Sequence, residues 1–223
     1  MDAVAFDFDG VIVRNARMAK VVGGASERFV SRHMNCAMKD AAVINRALYT
    51  KHGHTALGVA HELGKDSREI VEDFNRFVYG RMNWAVVDAC VQYDDKMRLR
   101  SLAELVWSRN VVSGLFTNAP LEWCDRVCAI IGTDMDRIID PGYYVTSDNL
   151  CLKPDDRNYT EVDKMFSDVT QKGGSIYFLD DSHINLAPVY RRASGMNWRS
   201  TLVRDDSLRS IVRGLPPPVP GER

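Results

Sequence analysis

Four short apolar runs punctuate the chain at Val4–Phe8, Val111–Phe116, Ile176–Leu179 and Thr201–Val203. Such short runs, bounded by polar residues or glycine, predict buried β-strands. A fifth, shorter strand is expected at Arg137–Ile139. Between the later runs, apolar residues recur in three- and four-residue steps. This predicts helices over Ser101–Trp107, Leu121–Ile131, Asn158–Thr170 and Leu186–Ala193. Strands alternating with helices imply an α/β fold with a parallel sheet. One connection is different. Roughly a hundred residues separate the first run from the second, and their periodicity is helical throughout, at Ser26–Met38, Lys39–Leu48, Val59–Leu63 and Ser67–Val78. Asp66 is placed to cap the last of these. The polar break Thr50–Thr55, "TKHGHT", divides two of them. The architecture expected is a core of residues 1–13 plus 96–205, with residues 14–95 inserted after the first strand as a helical domain. Residues 206–223 form a C-terminal segment, and "RGLPPPVPGER" at its end reads as a disordered or extended tail.

Composition narrows the function classes. The 223 residues carry 29 basic and 30 acidic side chains, so charge gives no signal for a nucleic-acid polymer or a membrane surface. No apolar run approaches the roughly 20 residues a membrane span needs. The five cysteines are Cys36, Cys90, Cys124, Cys128 and Cys151, without a C-x-x-C pair. Cys124 and Cys128 are four apart in a helical stretch, a spacing read as packing. With no leader-like stretch ahead of the first strand, a reducing, cytoplasmic setting is expected. Nothing in the sequence sets an oligomeric state.

In an open parallel sheet, ligands sit beyond the carboxyl ends of the strands. The first strand ends in Asp7 and Asp9. The second is followed by Thr117 and Asn118. Lys153, followed by Pro154, precedes the third. Asp180, Asp181, Ser182 and Asn185 follow it. Singly, each has an ordinary structural reading, such as a cap, a surface lysine or a loop turn. Together, four carboxylates, a lysine and a hydroxyl make a metal-and-phosphate site. Clustered Asp oxygens suit Mg²⁺. Thr117 and Lys153 suit phosphate oxygens and the charge that develops on them.

The set "DFDGV", "LFTNA", "KP" and "LDDS" resembles the four motifs of the haloacid dehalogenase-like (HAD) superfamily, in their order, from residue 3 to about 205. The resemblance implies a Rossmann-like core with a cap inserted after the first motif. It implies Asp7 as nucleophile and Asp9 as general acid–base. Mg²⁺ would be held by the Asp7 carboxylate, the Asp9 main-chain carbonyl and Asp180 or Asp181. Thr117, Asn118 and Lys153 would bind phosphate, with Ser182 and Asn185 positioning the acidic loop. A second acid two residues after the first favours phosphoryl transfer over dehalogenation, since a halide needs no proton. A response-regulator receiver shares the residue types but not their order. A phosphonatase would need a cap lysine, for which Lys20 and Lys51 are candidates that nothing singles out.

A finer resemblance is to the pyrimidine 5′-nucleotidase branch. "LFTNA" and "FLDDSHIN" look like its second and fourth motifs, and "VINRALYTKHGHTALGV" is similar to its cap helix–loop–helix. Asn45, Tyr49 and Gly53 match, while His52 replaces an aromatic Tyr. This implies Tyr49, Lys51, His52 and His54 as cap residues facing substrate. The expected ligand is a small phosphorylated metabolite, here a pyrimidine nucleoside 5′-monophosphate. A sugar-phosphate phosphatase, a phosphomutase and a non-catalytic phosphate-binding regulator stand as alternatives.

Overall fold

The computed structural model describes residues 1–109, 111–150, 152–170, 173–192, 196–204 and 207–215. Five parallel strands form one sheet: β1 (Asp2–Phe6), β2 (Val111–Phe116), β3 (Tyr144–Val145), β4 (Ser175–Asp180) and β5 (Asn197–Leu202). Their order is β3-β2-β1-β4-β5. β1 lies at the centre, with Phe6 level with Leu115 on one side and Leu179 on the other. The carboxyl ends of β1, β2 and β4 are therefore brought together at one edge of the sheet.

β1 starts and stops two residues earlier than the apolar run suggests. The Asp7 amide still donates to Leu179 O at 2.9 Å, but the chain then turns. Gly10 at φ +88° permits that turn, and the Val13 amide closes it on Phe8 O at 2.9 Å. Phe8, Val11, Ile12 and Val13 are all buried. They are apolar because the turn packs into the core, not because the strand continues. Asp7 and Asp9 consequently do not share one face of a strand.

Arg137–Ile139 is not a strand. Met135–Arg137 forms one 3₁₀ turn that buries Ile138 and Ile139 beneath it. Asp140 ties this turn to β2, accepting from the Ser113 amide at 2.7 Å. The edge strand lies further on, at Tyr144–Val145, paired with Leu115 and Phe116.

The helices are α1 (Ala16–Met34), α2 (Met38–His52), α3 (Thr55–Leu63), α4 (Ser67–Phe74), α5 (Trp84–Asp88), α6 (Tyr93–Trp107), α7 (Leu121–Ile131), α8 (Asp156–Met165), α9 (Ser167–Thr170), α10 (His183–Arg191) and α11 (Ser207–Arg213), with a π-helical turn at Asn75–Tyr79. The stretch expected as one helix from Asn158 to Thr170 is thus two. Ala193, the expected end of α10, lies outside the described residues. Asp66 caps α4 by accepting from the Arg68 and Glu69 amides. The break in "TKHGHT" narrows to Gly53 and His54, because α2 runs through His52.

The inserted helices have an apolar cluster of their own, which includes Phe29, Leu48, Val59, Ile70 and Phe74. Met18, Val87 and Cys90 instead join the cluster under the sheet, and α6 runs across the expected boundary at residues 95 and 96. Where the chain leaves the sheet and where it returns, Asn15 joins the two passes. It caps α1 and donates to Cys90 O at 2.9 Å and to Asp95 at 2.7 Å. At Gly53 (φ +76°) the inserted helices approach the lysine loop. A Cβ there would lie 2.6 Å from Pro154 Cδ.

Cys124 and Cys128 are buried in α7, in the packing role the spacing suggests. Cys151 lies outside the described residues, as does the tail from residue 216. The segment before that tail is folded, since Leu208, Val212 and Leu215 are buried in the core. Among the described residues, no helix is long and apolar enough to cross a membrane.

Candidate active site

Lys153 organises the sheet end. It is 1 % exposed, and its ammonium donates to Asp180 at 2.6 Å and to Phe116 O at 2.8 Å, and pairs with Asp7 at 3.0 Å. Burial opposes its charge, yet Asp180 and Asp7 outweigh burial and lift its pKa above the ordinary lysine value. Asp7 points the other way electrostatically. Burial pushes its carboxyl well above the usual range, and Asp180 and Asp181 add to the push against the pull of Lys153. The shorter contact decides the pairing: Lys153 belongs first to Asp180, and Asp7 is left incompletely neutralised.

Asp180 is fully engaged. It accepts from Lys153, from the Ser182 amide at 2.8 Å and from Asn185 Nδ2 at 3.1 Å on each oxygen. Ser182 thus acts through its backbone and Asn185 through its side chain. Asp181 is exposed and lies against Gly10, where a Cβ would come within 2.0 Å of its Oδ2. The missing Cβ is what admits this carboxylate. Burial and then Asp180 raise the pKa of Asp181. Asp7, Asp180 and Asp181 bring carboxylate oxygens within 4.8 Å of one another. Three acids against one lysine leave surplus negative charge, and an oxygen-only set fits a hard divalent cation.

Thr117 is buried at the end of β2 and lines the same cavity. Asn118 spends its side chain on the lysine loop, donating to Lys153 O at 3.0 Å and accepting from the Lys153 amide at 2.8 Å. Its side-chain amide therefore holds the lysine loop in place, and Asn118 also lines the cavity.

Asp9 stands apart from the other acids. Asp9 is exposed toward the cavity, and its carboxylate accepts from Trp123 Nε1 at 3.3 and 3.2 Å. Burial pushes its pKa up to about 6, against the pull of the Trp123 hydrogen bond.

Above these residues lies a cavity of about 740 Å³, roofed by the inserted helices. That is within the range of small-molecule sites. Tyr49 and His54 line it, whereas Lys51 and His52 do not. Lys51 pairs with Glu62 at 3.4 Å, and His52 stacks against His61 with ring centroids 4.8 Å apart. Both belong to the last turn of α2 and are spent on α3, which corrects the expectation that they face substrate. Glu27 and Arg46 also line the cavity, and neither makes a hydrogen bond or ion pair with a described residue. The face of α2 that carries Ala42, Asn45, Arg46 and Tyr49 is visible in the sequence as a helical stripe, and it would have pointed to Arg46.

His54 is buried and caps α3, its Nδ1 accepting from the Ala56 amide at 3.1 Å. Burial, and then Lys153, lower its pKa from 6.5 to about 4. The neutral ring is thus the folded form, and stability is fully present above pH 6.5. As pH falls toward 4, the unfolded chain takes up a proton that the folded chain refuses. The loss reaches roughly 3 kcal/mol. His54→Asn keeps a capping oxygen and removes this titration. Urea unfolding at pH 7.5 and 5 is expected to show a smaller drop in the variant than in the wild type. Parallel curves would remove His54 from the acid response.

No protein-family model and no curated protein matches the sequence. Solved structures do. A HAD phosphatase from Thermococcus onnurineus superposes with a TM-score of 0.50 at 15 % identity, over 96 % of this chain and 99 % of that one. CbbY from Rhodobacter sphaeroides, solved in complex with phosphate, superposes with a TM-score of 0.56 at 15 % identity, over 92 % and 87 %. The fold is that of the HAD phosphatases. The parallel HAD-like sheet and the helices inserted after its first strand are common to this chain's sequence pattern and its structure, and the strand-end residues of its four motifs meet at one site.

Proposed function

We propose that this HAD-like chain is a Mg²⁺-dependent phosphomonoesterase, with residues 14–95 as its cap. The observation that carries this reading is the convergence of Asp7, Thr117 and Lys153 on one wall of the cavity, with Asp9 at its side and the Asp180 and Asp181 carboxylates grouped with that of Asp7. An Asp7 oxygen attacks phosphorus and the bond to the ester oxygen breaks. Asp9 gives its proton to the departing alkoxide, then takes one from the water that attacks the aspartyl-phosphate. The Asp7–phosphorus link breaks and inorganic phosphate leaves. A carboxyl poised near pH 6 suits this two-way traffic. Lys153 and Thr117 hold phosphate oxygens. Asp7, Asp181 and the Asp9 carbonyl are the ligands proposed for Mg²⁺, with Asp180 committed to Lys153. When bound, the ion offsets repulsion between carboxylate and phosphate.

The substrate proposed is a pyrimidine nucleoside 5′-monophosphate. Tyr49 supports it: the residue is 46 % exposed and lines the cavity, so a base can stack on its ring. Glu27 and Arg46 favour a second reading, a sugar phosphate, since opposite charges with no described partner suit hydroxyls and anionic groups. Phosphate release from UMP, CMP, AMP, GMP and sugar phosphates, with and without EDTA, tests all of this. Tyr49→Ala is expected to lower kcat/KM for UMP by about three- to tenfold, the worth of one ring contact. Equal rates on all four nucleotides, or a preference for sugar phosphates, would remove the nucleotidase reading and leave the phosphatase. Activity undiminished by chelation would remove the metal.

A further inference from the structure

Trp123 lies on α7, six residues beyond Thr117, and is 1 % exposed. An indole N–H is a donor only, and it is costly to bury without a partner. Its partner here is Asp9, through both carboxylate oxygens. The inserted segment fixes the ring from two directions. Tyr79 packs at 5.5 Å between ring centroids and Trp84 at 5.7 Å. Trp84 is itself covered by Arg126, whose guanidinium carbon sits 4.0 Å from the ring centroid. An indole held this way cannot follow Asp9, so the carboxylate is placed by the indole. The Asp9 carboxylate accordingly stays out of the carboxylate set formed by Asp7, Asp180 and Asp181. It faces the cavity that Tyr79 also lines.

We propose that Trp123 is a positioning residue for Asp9. Its N–H keeps the acid–base carboxylate beside the leaving-group side of the cavity, and its ring ties that position to the inserted helices. The inference rests on the phosphomonoesterase reading and deepens it. A carboxylate held by one fixed donor is ready to protonate an alkoxide. Released from it, the side chain can turn toward the other acids' cation site and lose that function.

The test compares p-nitrophenyl phosphate, whose leaving group needs little protonation, with glycerol 2-phosphate, whose alkoxide needs it fully. Trp123→Phe is expected to lower kcat on glycerol 2-phosphate by about tenfold or more, the worth of a hydrogen bond to a charged group. The p-nitrophenyl rate is expected to change less than about threefold. In the double variant with Asp9→Asn, the loss should be no greater than for Asp9→Asn alone. Site-specific replacement of Trp123 by its benzothiophene analogue, in which sulfur takes the place of N–H, preserves the ring and covers the case in which the phenylalanine variant does not fold. It should show the same selective loss. The indole ¹H–¹⁵N resonance of Trp123 in the wild type should also move on Asp9→Asn. Equal losses on both esters, or an analogue indistinguishable from wild type, would reduce Trp123 to a packing residue and overturn the inference. A wild type inert toward every phosphomonoester would instead remove the phosphatase reading, and the inference with it.

Discussion

Asp7→Asn is expected to lower phosphate release by about a thousandfold or more while leaving the fold intact. The amide has the shape of the carboxylate but is not a nucleophile. Stability should hold for three reasons. The oxygen that accepts from the Phe8 amide at 2.8 Å is retained in Asn. Lys153 keeps Asp180 and Phe116 O. Burial already works against the Asp7 charge, as its raised pKa records, so removing that charge costs the fold little. Thermal melts within a few degrees of wild type, beside a flat phosphate-release trace, are the expected pair of results. Turnover at the wild-type rate would sink the assignment of Asp7 as nucleophile.

What could be read in the sequence follows from range. Strand-end chemistry is local to each strand, and Asp7, Thr117, Lys153 and Asp180 needed only the rule that parallel strands end at one edge. Ile138 and Ile139 misled because a buried turn and a buried strand are both apolar over a few residues. Phe8, buried in the turn that follows, did the same in lengthening β1. Lys51 misled through helical phase, and His52 because its ring is taken up by His61. Once α2 runs to His52, two residues on from Tyr49 is about 200° around the helix, and Lys51 must face away from the cavity. Placing the helix end at Leu48 hid this. Other contacts carry no local signal. Trp123 reaches Asp9 across 114 residues, and Asn15 reaches Asp95 across 80. Such pairs depend on how the inserted helices settle on the sheet. The clamp that Asn118 places on the lysine loop was hidden in the same way, since its two hydrogen bonds to Lys153 cross 35 residues.

Lys153→Met is expected to cost about 3–5 kcal/mol of stability as well as all activity, because it strands two buried carboxylates. The lysine has no substitute among the described residues: no other ammonium or guanidinium pairs with Asp7 or Asp180. Methionine fills much of the same space between the Phe116 and Phe178 rings, which lie 5.1 and 5.4 Å from the ammonium, so the loss reports charge more than volume. The pH dependence separates this from ordinary core damage. Without Lys153 the buried Asp7 carboxyl titrates above its unfolded value, so the penalty is greatest at neutral pH and shrinks as a proton neutralises it on the way to pH 5. A cavity or a clash would cost the same at both. Adding Asp7→Asn to Lys153→Met should recover part of the stability at pH 7.5 by deleting one of the stranded charges. Urea unfolding of the wild type, Lys153→Met and the double variant at pH 7.5 and 5 decides the matter. A single variant as stable as wild type, or a double variant less stable than Lys153→Met, would show that the lysine does not neutralise this site.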